Sequence, residues 1–482
     1  MVTRLQVSGF KNLIDVDVHF GPFTCIAGAN GVGKSNLFDA IRFLGALGDK
    51  PISEAAGLVR NEAGGGDLRS LFTKVGTTHR SQMRFVADLI IPAEGVDDLR
   101  QTARAAATYL RYEIRLGFRE ATALLPQRIV LEYEQLVPLH LKELSRQLAF
   151  SFSEDWRKSV IVPKRGTIRP LIATESRDTG IIIKRHQEQK GGKPREFFAE
   201  DIPRTVLSST SAVEGPTALL VRTELRAWRL LQLEPAALRK PSRFRDANRL
   251  GSDGANLPAT LRRLVHAETD GESGAALQQL TNRINDLLRN VQGIQLITDE
   301  RRESYAIQLT DRAGTTLDAA SLSDGTLRFL ALATLAIDPI EAGVICLEEP
   351  ENGIHPERIA AMIDLLGDIA VDTDYPIGPD NPPRQVIVNT HAPAVVQQVA
   401  FEQLLLAQPT VHQEGYTGVA YLPPPESLRE QLGRRAAPLS SLLPYLNPVI
   451  IDTNSDEDTF PGGRVIDHVT VRQLSLFQTA RP

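Results

Sequence analysis

A glycine loop set between an apolar strand and a helix constrains this chain more than any other feature. Phe23-Thr24-Cys25-Ile26-Ala27 reads as a short buried strand and runs without a spacer into Gly28-Ala-Asn-Gly-Val-Gly33-Lys34-Ser35. Asn36-Leu-Phe-Asp-Ala-Ile-Arg-Phe-Leu44 follows with helical periodicity. The loop fits GxxxxGKS in the strand–loop–helix setting that the motif requires. Glycines let consecutive backbone N–H groups curl toward a phosphate, and the helix N-terminus adds a favourable dipole. The expected phosphate-contacting set is therefore Gly28, Asn30, Gly31, Gly33, Lys34, Ser35 and Asn36. Lys34 supplies a point charge to the β- and γ-phosphates of ATP, and the Ser35 hydroxyl is a ligand to Mg²⁺.

A chain with this loop needs a second half of the site, and three segments far downstream supply candidates. Ser321-Leu-Ser323-Asp324-Gly325-Thr326 opens an amphipathic helix, and its small capping residues leave N–H groups suited to an anion. By itself this is an ordinary N-cap. Gly343-Val-Ile-Cys-Leu347 is an apolar strand that ends in Glu348-Glu349-Pro350-Glu351. Adjacent carboxylates at such a strand end are costly unless they hold a cation or handle a proton. One can anchor Mg²⁺ through water while the next polarises an attacking water. Gln385-Val-Ile-Val-Asn389-Thr390-His391 is a further strand ending in a histidine.

Taken in this order, the four motifs resemble those of ABC-type ATPases of the SMC and RecF kind. More narrowly, the chain resembles the bacterial AAA family ATPases akin to the ATPase half of OLD (overcoming lysogenization defect) nucleases. Leu233-Glu-Pro, Arg239-Lys-Pro-Ser and Asp253-Gly-Ala-Asn256 look like the segments that group places before its signature motif. The resemblance spans about residues 1–90 and 205–405. It implies roles by position. Ser323 and Gly325 become the signature that contacts the nucleotide of the other protomer. Glu348 takes the Walker B position on Mg²⁺, and Glu349 that of the catalytic base. His391 becomes the histidine that reads the γ-phosphate, and Lys11-Asn12 lies near the nucleotide. Many members of the group carry Asp where this chain has Glu348. Gln82 is the nearest candidate for the glutamine that such proteins place by the metal.

The resemblance implies an α/β fold, that of an ABC-type P-loop NTPase with a split nucleotide-binding domain, mixed sheets and an inserted helical and β region. At roughly 100–200 residues per domain, the chain's 482 residues suggest two or three lobes. The expected division is an N-terminal lobe at 1–90, an insertion at 91–205, a C-terminal lobe at 206–410 and a tail at 411–482. The insertion cannot be a long coiled coil, because prolines recur at 126, 138, 163, 170, 203 and 216. Residues 105–135 mix strand and short-helix patterns. A helix is expected over about 272–291, with Leu277, Leu280, Ile284, Leu287 and Val291 on one stripe that packs on a sheet or meets a partner. The acidic run 452–458 reads as a solvated loop.

A net charge of −5 excludes a surface basic throughout, so any DNA contact is a local patch. Basic clusters occur at Lys184-Arg185, at Arg239-Lys240 with Arg243 and Arg245, and at Arg262-Arg263. No apolar run reaches the roughly 20 residues of a membrane span, and Cys25 and Cys346 read as buried thiols, so the expected location is cytoplasmic. Two functional readings follow. In the first, an ATP-driven homodimer clamps duplex DNA. In the second, the ATPase regulates an effector protein in trans in a bacterial defence or toxin module. The second also rests on the tail of about 70 residues, shorter than the roughly 100 that a TOPRIM nuclease needs.

Overall fold

The computed structural model describes residues 1–59, 67–123, 125–164, 168–188, 193–266, 275–288, 291–411, 417–431, 433 and 435–445. Val2–Ser8 buries Val2, Leu5 and Val7 while Arg4, Gln6 and Ser8 stay half-exposed, the period-two pattern of a one-sided strand. It pairs antiparallel with Val16–His19 on one edge and with Gln82–Ile90 on the other. The antiparallel sheet continues through Tyr109–Arg119, Arg128–Pro138, Ile172–Arg177 and Gly180–Arg185 to Arg195–Phe198. Residues 109–198 thus add five strands to the sheet that the N-terminus begins. The short-helix pattern expected within 105–135 is overridden here: two long strands pair across that stretch, where cross-strand burial outweighs local propensity.

The second sheet has the order Arg229–Leu231, Gly343–Glu348, Arg384–Thr390, Phe23–Ala27, Leu404–Val411, Thr417–Leu422. The first five strands run parallel and the last antiparallel. Phe23–Ala27 and Arg384–Thr390 are buried along their whole length, as strands covered on both faces must be. Val344 and Cys346 join one apolar core, while Ile345 and Leu347 join the other. The first core holds the helix Lys34–Leu47 between the two sheets. Phe43 on that helix sits 5.9 Å from the Phe10 ring and 5.7 Å from that of Phe85. The second core is covered by Asp324–Ile337 and Ile359–Ile369. The fold is α/β with mixed sheets, and its core is split between distant parts of the chain, as the sequence implied.

A third, smaller sheet pairs Ser304–Asp311 with Val291–Asp299, Ser242–Arg243 and Thr316–Asp318, beside the helices Leu257–His266 and Ala275–Leu288. The expected helix over 272–291 is described as Ala275–Leu288. Val291 instead opens a strand, and residues 272–274 and 289–290 lie outside the described residues. Leu280 and Ile284 are fully buried, with Leu277 and Leu287 packed against the same core. The second sheet continues past residue 410 with the antiparallel edge strand Thr417–Leu422, whereas the acidic run 452–458 is not among the described residues. Cys25 and Cys346 are free and buried.

Candidate active site

Register in the parallel sheet assembles the site. Ala27 lies opposite Thr390, and Asn389 lies opposite Glu348. The glycine loop, the acidic pair and the histidine therefore emerge side by side from the carboxyl ends of neighbouring strands, where α/β sheets bind ligands. A cavity of about 560 Å³ opens there, lined by Asn30, Gly31, Gly33, Lys34, Ser35, Asn36, Glu348 and Glu349 among others. Of the remaining expected residues, Gly28, Lys11, Asn12, Ser323, Gly325 and His391 are not in that lining.

Gly33 has φ 120, and a Cβ there would stand 2.5 Å from the Asn12 amide nitrogen. That backbone conformation favours glycine. Asn12 Nδ2 donates to Val32 O at 3.1 Å, and Asn36 Nδ2 donates to Asn12 Oδ1 at 2.8 Å. Asn12 thus ties the loop to the first turn of the helix, which is a positioning role. Lys11 pairs with buried Asp39 of the same helix at 2.7 Å. Lys34 is buried, with Nζ donating to Gly28 O at 2.6 Å and Ala29 O at 3.0 Å. Burial pulls its pKa down, against the opposing pull of Glu349, Glu351 and Glu348.

Glu349 adopts φ 44, a left-handed conformation costing about 1–3 kcal/mol for a non-glycine residue. The surroundings hold it there. Its N–H donates to Asn389 O and Oδ1, each at 3.1 Å, and Asn352 Nδ2 donates to Oε2 at 3.0 Å. Oε1 lies 2.7 Å from His391 Nδ1. His391 therefore meets the cavity through Glu349. Glu351 is buried, accepts from Thr390 Oγ1 at 2.5 Å, and leaves Oε2 without a partner among the described residues. Burial raises its pKa. The contact joins the segment that follows Gly343–Glu348 to the last residue of the neighbouring strand Arg384–Thr390.

Sequence reasoning missed Gln232. Its Nε2 donates to Glu348 Oε2 at 2.7 Å, and it lines the cavity. Gln82 instead donates to Glu132 at 2.7 Å on the antiparallel sheet and does not line the cavity. The signal available was position: Gln232 follows immediately on a strand of the parallel sheet, at the end where ligands bind. Arg328 also lines the cavity and donates to Asn352 O from the helix that Ser323 caps.

Mg²⁺ and ATP fit these groups. The loop offers N–H donors and an ammonium, and Ser35 and Glu348 are hard oxygen donors in one cavity. Among the described residues no cluster of three His, Cys, Asp or Glu forms a metal cage. A cation held here would complete its coordination with phosphate oxygens and water, which is how Mg²⁺ is usually bound. No helix of the described residues is long and apolar enough to cross a membrane.

Residues 155–397 match the family described as "AAA domain, putative AbiEii toxin, Type IV TA system", and residues 4–85 match one described as "AAA domain". The DNA replication and repair protein RecF of Clavibacter sepedonicus is 34% identical over 85 residues, covering 17% of this chain and 21% of RecF. The OLD nuclease of Thermus scotoductus is 47% identical over 49 residues, covering 10% of this chain and 9% of the nuclease. The chain therefore spans about a fifth or less of the length of these relatives. A crystal structure of the Smc head bound to the C-winged helix domain of ScpA aligns with TM-score 0.46 at 14% identity, covering 89% of this chain and 99% of that one. The Smc head domain from Thermotoga maritima aligns with TM-score 0.36 at 13% identity, covering 88% and 98%.

Proposed function

Because the chain belongs to the family described as "AAA domain, putative AbiEii toxin, Type IV TA system", we propose that it is an ATPase that closes as a nucleotide-sandwich dimer and acts in DNA metabolism or DNA sensing. The observation that carries this reading is the single cavity shared by the glycine loop, Glu348, Glu349 and Gln232. The loop N–H groups and Lys34 hold the phosphates, and Ser35 with Glu348 would hold Mg²⁺, whose charge offsets that of the reacting phosphates. Glu349 orients the attacking water and accepts its proton, while His391 fixes the carboxylate. Ser323 and Gly325 serve the partner's nucleotide. In support, Ser323 is exposed at the start of a 14-residue helix, outside its own chain's cavity.

A substitution separates the two halves. Ser323→Arg is expected to leave ATP affinity within about twofold while lowering turnover at least tenfold. Isothermal titration and a phosphate-release assay check this, and normal turnover would mean that Ser323 only caps its helix. A second reading, a regulatory ATPase of a defence or toxin module acting on an effector in trans, is favoured by the toxin context in the family's description. The ATP hydrolysis rate with and without linear duplex DNA at low salt decides between them. Stimulation supports the DNA reading, and indifference to DNA supports a protein ligand.

A further inference from the structure

The three basic clusters of the sequence have different fates in the fold. Lys184 pairs with Glu175 at 2.5 Å, and Arg185, itself buried, pairs with Glu214 at 2.7 Å, so that cluster is neutralised. In the segment 239–249, five cations stand against one anion, Asp246. Arg239 pairs with Asp324 and Arg249 with Glu341. Arg243 and Arg245 remain exposed, and no carboxylate among the described residues pairs with them. Asp246 is already engaged, accepting from Arg243 N at 2.6 Å.

Arg243 and Arg245 flank Phe244 in sequence without lining the groove of about 690 Å³ that Phe244, Asp246, Arg262, His266 and Tyr305 help to form. The Phe244 and Tyr305 rings stack at 4.6 Å with 26° between planes, and the Arg262 guanidinium lies 4.5 Å from the Tyr305 ring. Arg262 has no carboxylate partner among the described residues, unlike Arg263, which is held by Asp338. The strand Ser242–Arg243 pairs with Ser304 and Tyr305, and Phe244 N donates to Glu303 O at 2.9 Å, so the neighbouring turn brings exposed Arg301 to the same edge. A π-stack flanked by unneutralised guanidinium groups is the chemistry that binds a base together with its phosphate.

We propose that this groove binds a nucleotide unit of single-stranded nucleic acid, with a base against Phe244 and Arg262, the half-buried members of the stack around buried Tyr305, and phosphates on the flanking Arg243, Arg245 and Arg301. The proposal deepens the nucleic-acid reading above and rests on it. The segment leading to Phe244 is also tied to the loop of Ser323: Arg239 donates to Leu322 O at 3.1 Å and pairs with Asp324 at 2.5 Å.

The test is fluorescence anisotropy of the full chain with a labelled 20-nucleotide oligothymidylate at low salt. Phe244→Ala combined with Arg245→Ala is expected to weaken binding at least tenfold, and to make its logarithmic salt dependence shallower by roughly 0.7 for the lost arginine. Titration calorimetry should show unchanged ATP affinity in that variant, which also proves it folded. Thymidine monophosphate, tested on Lys34→Ala so that the glycine loop does not compete, separates the sources. Phe244-dependent binding of the monophosphate, with the oligonucleotide no tighter, keeps the groove but assigns it to free nucleotides. Oligonucleotide affinity unchanged in the double variant overturns the proposal, as does failure of both probes to bind the wild type. Duplex stimulation of hydrolysis that survives in the double variant would leave the DNA reading standing without this groove.

Discussion

Glu349→Gln is expected to lower ATP turnover by a factor of about 10²–10⁴, the contribution of a positioned general base, while ATP stays bound. The substitution keeps the side chain's length and its acceptor for Asn352 Nδ2, which now bonds Oε2 at 3.0 Å. It removes the capacity to take a proton from water. The backbone at φ 44 is held by Asn389 and is indifferent to the change from carboxylate to amide. On the sandwich mechanism, stalled hydrolysis accumulates a closed pair, so the variant should elute as a dimer from a sizing column in Mg-ATP and as a monomer without nucleotide. A variant that stays monomeric in Mg-ATP while hydrolysing slowly would remove the dimer and keep the base. Wild-type turnover would remove Glu349 from the chemistry.

Lys34→Ala should abolish measurable ATP binding, with a loss of about 100-fold or more. Charge-assisted hydrogen bonds contribute about 1.5–3 kcal/mol each, and the ammonium can make more than one to phosphate oxygens. Nζ is already aimed into the loop, where Gly28 O and Ala29 O accept from it. Alanine also deprives those carbonyls of their donor, so a thermal melt should accompany the calorimetric titration to show that the fold persists. Unchanged ATP affinity in a folded variant would sink the assignment of the glycine loop.

Much of the fold was legible because the strongest local signals were also the structurally central ones. The apolar runs before Gly28, Glu348 and His391 are central strands of one parallel sheet, and uninterrupted apolarity is what burial on both faces demands. The glycine loop was legible from spacing alone. What resisted was anything set by non-local pairing. Residues 105–135 gave an ambiguous period, and pairing with Gln82–Ile90 and with each other settled them as strands. Gln232 carried no local signature, because its role comes from a strand pairing with one more than a hundred positions away. Gln82 failed for the same reason in reverse: it lay close to the glycine loop in sequence but on the other sheet. The neutralisation of Lys184 and Arg185 was equally invisible, since Glu196 and Glu214 reach them only through sheet pairing and packing.

The strand that carries the glycine loop lies between Arg384–Thr390 and Leu404–Val411. Its first edge partner is complete only at Thr390 and its second at Val411, so both edges stay open while everything between Ala27 and Arg384 is synthesised. At roughly 5–20 residues per second, that interval is on the order of 20–80 s. Throughout it, the nascent chain displays a largely apolar strand with both edges open, the kind of segment that invites pairing with other chains. Prematurely terminated polypeptides from this gene should therefore be aggregation-prone and unable to bind ATP even though they contain the complete glycine loop. Nucleotide competence thus waits on the synthesis of Arg384–Thr390 and Leu404–Val411, the strands that flank the one carrying the loop.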